Sequence, residues 1–203
     1  GGSRVRDDYR SDRLLVIDLE LTCWETPDPP EGEEPEPIEI AVVEIDTRTL
    51  AESRHGRWLV RPRRSTVSPF CAELTGISAG ELARHGRPLG EVASSIVRTF
   101  GTTRKTWAAW GMDVNPLREA CARQGVAPPF SESFLDLAHL FSMLMGTTRR
   151  IGLEAALAML GLGFEGRPHG ALDDARNAAR AYAELVRRLR ATGLDPEALD
   201  RAR

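Results

Sequence analysis

The 203-residue sequence has three cysteines, one lysine and two tyrosines. No apolar run approaches the roughly 18 residues that a membrane span requires, so no membrane partner is expected. Cys23, Cys71 and Cys121 are odd in number and lack metal-site spacing. This excludes a disulfide framework and a zinc-binding cysteine cluster, and it points to a reducing, cytoplasmic setting. The N-terminus has no apolar h-region, so no secretory signal is expected there. Gly1-Gly2-Ser3 reads as an expression remnant. Of 27 basic residues only Lys105 is not arginine. Arginine suits bidentate phosphate contacts, but GC-rich codons produce the same bias.

Basic residues are also missing locally. Leu14 to Thr47 contains 11 acids and no Lys or Arg. The remainder holds 19 acids and 27 bases, so the net charge of −3 combines a segment at −11 with a body at +8. Such a body is compatible with nucleic acid. Hydrophobic content of 41% and charged content of 28% exclude collagen-like, coiled-coil or largely disordered chains. A single domain of this length buries about 70% of its unfolded-chain surface and needs no staple.

Leu14–Glu20 is a short apolar run carrying two acids and reads as a buried strand. Residues 25–37 contain five prolines and six acids and read as a loop that does not pack. Pro37–Asp46 and Arg57–Arg61 are β-rich, separated by a polar turn near 47–55, which suggests an antiparallel meander. A capping box, Ser78 with Glu81, opens a short helix ending at Gly86. Pro88 opens a helix to Phe100, with Leu89, Val92, Ile96 and Phe100 on one side. Strands at 105–110 and 133–136 alternate with helices at Pro116–Gln124 and up to Met145. Helices follow at Gly152–Leu160 and from Ala171 to Leu189, and Asp195-Pro196 opens a last short one. The order predicts one α/β sandwich with a mixed sheet.

Asp18 and Glu20 are two apart on the first strand, so both carboxylates leave one face. Together on an apolar strand they repel and are costly to desolvate, which a divalent cation between them corrects. The alternative is an edge strand with both acids in water. His169 and Asp174 lie five apart where a Gly/Pro-broken loop enters the long helix. Asp173 and Asp174 stand in its first turn, where either also serves as a helix cap. Asp113 follows a strand end, a common place for ligands in α/β folds. It also competes with Asn115 as the cap of the next helix.

The ordered set D-x-E, a central Asp and H-x4-D resembles the DEDDh 3′→5′ exonucleases of the DnaQ-like superfamily. The resemblance runs from Leu14 to about Leu189. Finer stretches are Val16-Ile17-Asp18-Leu19-Glu20-Leu21-Thr22-Cys23-Trp24-Glu25, Phe70-Cys71 with Leu74-Thr75-Gly76-Ile77, and Phe164 through His169 to Asn177. These resemble the branch containing the histone-mRNA 3′-end exonuclease and the KapD-type bacterial proteins. The resemblance implies an RNase H-like three-layer α/β sandwich with a mixed five-stranded sheet flanked by helices. The exonuclease domain would cover residues 14–192, between an N-terminal tail (1–13) and a C-terminal extension (193–203).

The resemblance also implies roles. Asp18, Glu20, Asp113 and Asp174 bind two divalent metal ions, Mg2+ or Mn2+, and His169 is the general base. Asp173 is then a supporting residue. Phe70 and Leu74 stack on or wedge between terminal bases, unless they are core residues. The backbone and side chain near Leu21 and Thr22 approach the terminal sugar. Met112 stands where the branch often has an aromatic residue, which softens that contact, and Pro168 stiffens the histidine loop. Trp24 either borders the site or covers the base of the acidic loop. That loop gates the site, binds a partner or is a solvated insertion, the last being favoured. The implied substrate is single-stranded RNA or DNA with a free 3′ end, RNA favoured, cut to nucleoside 5′-monophosphates beside Arg-rich segments. The alternative is a nucleic-acid-binding or regulatory interaction protein with this fold and negligible catalysis. Protein partners are left unknown.

Overall fold

β1 (Arg10–Leu21) is the central strand of a five-stranded sheet. The computed structural model describes residues 9–112 and 114–193. β2 (Pro37–Asp46) and β3 (Glu52–Leu59) continue antiparallel on one side. β4 (Lys105–Ala109) and β5 (Phe134–Asp136) run parallel to β1 on the other, giving the order β3-β2-β1-β4-β5. The sheet is mixed, as the sequence predicts.

β1 begins at Arg10, before its apolar run. Arg13 there pairs with Asp46 at 2.6 Å, and Arg10 lies in register with Lys105. β3 spans Glu52–Leu59 rather than 57–61. It is a mostly exposed edge strand, and an edge needs no apolar run because one side faces water. A helix absent from the sequence reading, α1 (Pro69–Thr75), has Ser68 as N-cap and Pro69 in its first turn. α2 (Ala79–His85) starts as expected, with the Ser78 side chain accepting from the Glu81 N–H.

The two faces of β1 differ. Leu15 and Ile17 pack with Ile40 and Val42 under α3 (Leu89–Phe100) and α4 (Asn115–Gln124). Leu14 and Val16 pack with Ala41, Val43 and Ala108 under α7 (Ala171–Ala191). α7 presents Ala171, Ala175, Ala178 and Ala179 to Ala41 and Ala108, so helix and sheet approach closely. α5 (Leu137–Leu144) and α6 (Leu153–Met159) extend this layer through Phe141, Leu157 and Ala181. Helices on both faces make the three-layer sandwich. Among the described residues, no helix is long and apolar enough to cross a membrane.

The acidic loop does pack, contrary to its composition. Glu36 is 3% exposed, and its carboxylate accepts the N–H groups of Arg63, Arg64 and Ser65. Glu33 accepts from the Thr66 N–H and hydroxyl, and Glu34 pairs with Arg123 at 3.0 Å. Three of the six acids therefore fasten the loop to the segment before α1 and to α4. Only residues 25–32 form an exposed tip. The expected helix at Asp195-Pro196 lies outside the described residues.

Candidate active site

The face of β1 that begins with Leu14 and Val16 turns acidic at Asp18 and Glu20 because α7 starts there. The helix covers the apolar half of the face, and its first turn brings Asp174 to the acidic half. Ligand oxygens of Asp18, Glu20 and Asp174 all lie within 4.8 Å of one another. Asp18 and Asp174 are half-buried, and Glu20 is 8% exposed. β1 is central, so the reading of these acids as edge-strand residues facing water fails.

The electrostatics show the cost of this cluster. Burial, then Asp174 and Glu39, push the Glu20 carboxyl up to about 8, with Arg167 pulling the other way. Burial pushes Asp174 up to about 6, against the lowering effect of His169. Oxygen donors this close, both holding protons too tightly, suit a divalent cation, which replaces the protons and cancels the repulsion. Asp113, the expected fourth carboxylate, lies outside the described residues. Asn115 is not the cap of α4: Val114 occupies the N-cap position, without a side-chain bond.

His169 sits between Pro168 and Gly170 with φ +60°. A non-glycine residue in the left-handed region is strained and persists only when its surroundings hold it. Asp173 does part of this, accepting the Arg167 N–H at 2.9 Å. At Gly166, φ +85°, an added Cβ would fall 2.4 Å from the Asp173 carboxyl carbon, so only glycine lets the loop fold so close. Asp173 therefore shapes the loop rather than joining the carboxylate cluster. Gly170 caps α7 without a side-chain bond, but Glu39 reaches from β2 to accept the Ala171 N–H at 3.0 Å. Glu39 stands opposite Glu20 in register and is also paired with Arg57 of β3.

His169, Asp18, Glu20 and Asp174 line one cleft of about 670 Å3. Its other walls include Leu21, Leu74, Trp110, Glu154, Phe164 and Pro168. Leu21 and Leu74 thus stand where the sequence reading places substrate contacts. Phe70 is 41% exposed, which removes it from the core, though it is not in the cleft wall. Met112 is exposed and also outside the wall. Thr22 is 1% exposed, and its hydroxyl donates to the Glu34 carbonyl and accepts from the Glu36 N–H, so its side chain holds the acidic loop and any approach to a sugar there falls to the backbone. Trp24 is half-buried outside the cleft wall. Cys23 lines the cleft, but burial and Cys71 push its thiol up to about 12, too high for a nucleophile at neutral pH.

No arginine stands in the wall itself among the described residues, though Arg167 adjoins it and lowers the Glu20 carboxyl. Many arginines are engaged in ion pairs, among them Arg54, Arg57, Arg123, Arg176 and Arg180. Four contributors were not singled out from sequence: Glu39, Glu154, Arg167 and the cleft role of Trp110. Glu39 had a signal in the alternation along β2, which puts it with Ala41 and Val43 on the α7 face. Trp110 ties two walls together, its Nε1–H donating to the Ile151 carbonyl at 3.1 Å. Arg167 and Glu154 carried no pattern.

Residues 15–182 match the exonuclease family RNase_T. The chain is 29% identical to ERI1 exoribonuclease 2 of Mus musculus, over 92% of this chain and 30% of that protein. It is 27% identical to the 3′-5′ exonuclease Snipper of Drosophila melanogaster, over 86% of this chain and 69% of that protein. It is 31% identical to 3′-5′ exoribonuclease 1 of Homo sapiens, over 91% of this chain and 55% of that protein. The chain thus spans between 30% and 69% of the length of these relatives. In structure, the nuclease domain of 3′hExo, a DEDDh family member bound to rAMP, aligns with TM-score 0.77 at 28% identity, covering 87% of this chain and 92% of that one. A 3′-exonuclease that recognises the histone mRNA stem-loop aligns with TM-score 0.77 at 26% identity, covering 89% and 65%. The mixed five-stranded sheet flanked by helices agrees with these structures, and the chain belongs to the RNase_T exonuclease family with the fold of its DEDDh members.

Proposed function

We propose that this chain is a metal-dependent 3′→5′ exonuclease of single-stranded nucleic acid, preferring RNA to DNA and releasing nucleoside 5′-monophosphates. The observation that carries this reading is the close cluster of Asp18, Glu20 and Asp174 in one cleft with His169. The RNA preference is supported by relatives named as exoribonucleases and by rAMP in the 3′hExo nuclease domain.

Asp18, Glu20 and Asp174, with Asp113 by family resemblance, would hold two divalent cations. When bound, such ions neutralise phosphoryl oxygens and favour ionisation of the attacking water. The protein's own part is placement and proton transfer. His169, in its neutral form, accepts the water proton at an imidazole nitrogen. The Asp174 carboxylate beside it stabilises the imidazolium that results. The water oxygen bonds to phosphorus as the bond to the 3′-oxygen of the preceding nucleotide breaks. Leu74 and Leu21 contact the terminal nucleoside from the cleft wall. Phe70, exposed on the same helix as Leu74, offers a stacking face to the next base.

The test is incubation with 5′-labelled single-stranded RNA and DNA in Mg2+ or Mn2+, beside Asp18→Asn. Stepwise shortening with monophosphate release, lost in the variant and in EDTA, is expected. Binding without monophosphate release would replace this reading with that of a nucleic-acid-binding protein. Cleavage of a circular strand would replace it with endonuclease action.

A further inference from the structure

Two parts of the cleft come from distant sequence. One is α1, which carries Leu74 in the wall and exposed Phe70 one turn earlier. The other is the loop 166–169, which carries His169. The Arg167 side chain joins them. The Arg167 guanidinium donates from Nη2 to the carbonyls of Glu73 (3.1 Å) and Leu74 (3.3 Å), in the last turn of α1. Those carbonyls are the acceptors that a helix end leaves unpaired. Gly76 ends α1 with φ +75°, and a Cβ there would fall 1.9 Å from Arg167 Nη1. The space is thus kept open for the guanidinium.

Both ends of this strut are held. The Arg167 backbone N–H is bound by Asp173 at 2.9 Å, and His169 follows two residues later in its left-handed conformation. At the other end of α1, Ser68 accepts the Cys71 N–H and donates to the Cys23 carbonyl at 2.7 Å, and the Cys71 thiol reaches the Leu21 carbonyl at 3.4 Å. α1 is therefore fastened at its start to the strand that carries Asp18 and Glu20. At its finish Thr75 and Ile77 are buried, and the exposed carbonyl edge of the last turn is bound by the histidine loop through Arg167. A seven-residue helix has little stability of its own, so its position follows these attachments.

We infer that Arg167 is a positioning residue that couples the seat of the 3′-terminal base on α1 to the placement of His169. A base pressed against Leu74 steadies the last turn of α1, and Arg167 passes that constraint to the loop holding the base catalyst. An end lacking its nucleobase would then be cut slowly because His169 is badly placed, and not only because the end binds weakly. Such an enzyme favours intact terminal nucleosides of any base identity. The inference rests on the exonuclease reading above and deepens it.

The test is a double-mutant cycle of Arg167→Met and Leu74→Ala, read as kcat and KM on 5′-labelled single-stranded RNA with an intact or an abasic 3′ terminus. Arg167→Met is expected to lower kcat on the order of a hundredfold, with a smaller change in KM. Removing the terminal base, or Leu74, should then cost little more in kcat. Losses that multiply independently overturn the coupling. Arg167→Lys restores the charge but cannot bridge two carbonyls as a planar fork, so it should behave like Arg167→Met. Full rescue by lysine overturns the strut. Where the methionine variant fails to fold, the lysine variant carries the same cycle.

A readout independent of turnover separates this inference from the exonuclease reading. Amide hydrogen exchange across 69–76 and 166–171 should quicken together in Arg167→Met. Quickening confined to 166–171 overturns the strut even in an active enzyme. Concerted quickening in Arg167→Met, with a wild-type protein that releases no monophosphate, sinks the exonuclease reading while leaving the strut standing.

Discussion

Glu44 and Glu20 are both buried carboxylates on neighbouring strands, and their surroundings are opposite. Burial raises both. At Glu44, hydrogen bonds from Lys105, Arg54 and Ser53 outweigh burial and hold the carboxyl below its usual range. At Glu20 the neighbours are other acids, and the carboxyl rises to about 8. The only lysine in the sequence, 6% exposed, is placed against Glu44, also donating to the Phe100 carbonyl at 2.6 Å. Glu39 stands between the two cases, paired with Arg57 and with the Ala171 N–H. A fold that neutralises one buried acid and leaves others crowded has put the work of neutralising them on a ligand. Acids set against bases hold the sheet, and acids crowded against one another mark the site.

The largest test removes the crowded charge. Asp18→Asn, Glu20→Gln or Asp174→Asn should each lower kcat by at least about 10^3-fold. The melting temperature in EDTA should stay the same or rise, because repulsion has been removed. A large fall in melting temperature would make the cluster structural and break the contrast. His169→Ala should cost about 10^2–10^4-fold in kcat with folding intact.

The opposite change belongs at the paired end. Lys105→Met leaves Glu44 buried beside an exposed Arg54, and should cost about 3 kcal/mol of stability in denaturant unfolding. Turnover per folded molecule should be unchanged. A catalytic loss without a stability loss would reverse the two roles.

The pH dependence sharpens the comparison. Glu20 and Asp174 have native values raised to about 8 and about 6, so the native state binds protons more tightly than the unfolded chain. Their contribution to stability is full below their unfolded values and is lost as pH rises through 6 and then 8. Glu44, Glu52 and Asp46 have lowered values, so their contribution is lost only as pH falls into the acid range. In EDTA the melting temperature should therefore fall between pH 5 and pH 9. Mg2+ or Mn2+ should raise it more at pH 8 than at pH 5, and Glu20→Gln should flatten both trends. A metal-induced rise equal at both pH values would count against cation binding at this cluster.

The smallest effect concerns adjacent aspartates. Asp173→Asn keeps an oxygen that accepts the Arg167 N–H, so it should lower kcat about tenfold or less. That is well short of Asp174→Asn. Equal losses would show that both belong to the carboxylate cluster.

Much of this was legible in sequence because it is local. The apolar run with two acids two apart places both carboxylates on one face whatever else the chain does. Ser78 with Glu81, and Gly125 after Gln124, mark helix ends by backbone chemistry that depends on nearby residues alone. α1 was missed although Ser68-Pro69 and Gly76 bracket it, because seven residues carry too little periodicity. β3 was misplaced because an edge strand keeps polar residues and sheds its pattern. The acidic loop misled most. Its composition describes a solvated segment, but Glu33, Glu34 and Glu36 meet backbone N–H groups and Arg123 from more than 25 residues away.

The sequence by itself determined the strand that carries Asp18 and Glu20, the helix that carries Asp174, and the broken loop that carries His169. Periodicity and turn chemistry act within a few residues, so they are written along the chain. Only the tertiary structure decided which buried acids are neutralised, that Thr22 turns to the loop, and that Arg167 spans from the histidine loop to α1. Those outcomes depend on charges and carbonyls brought together across the sheet, where distance in space is unrelated to distance in sequence.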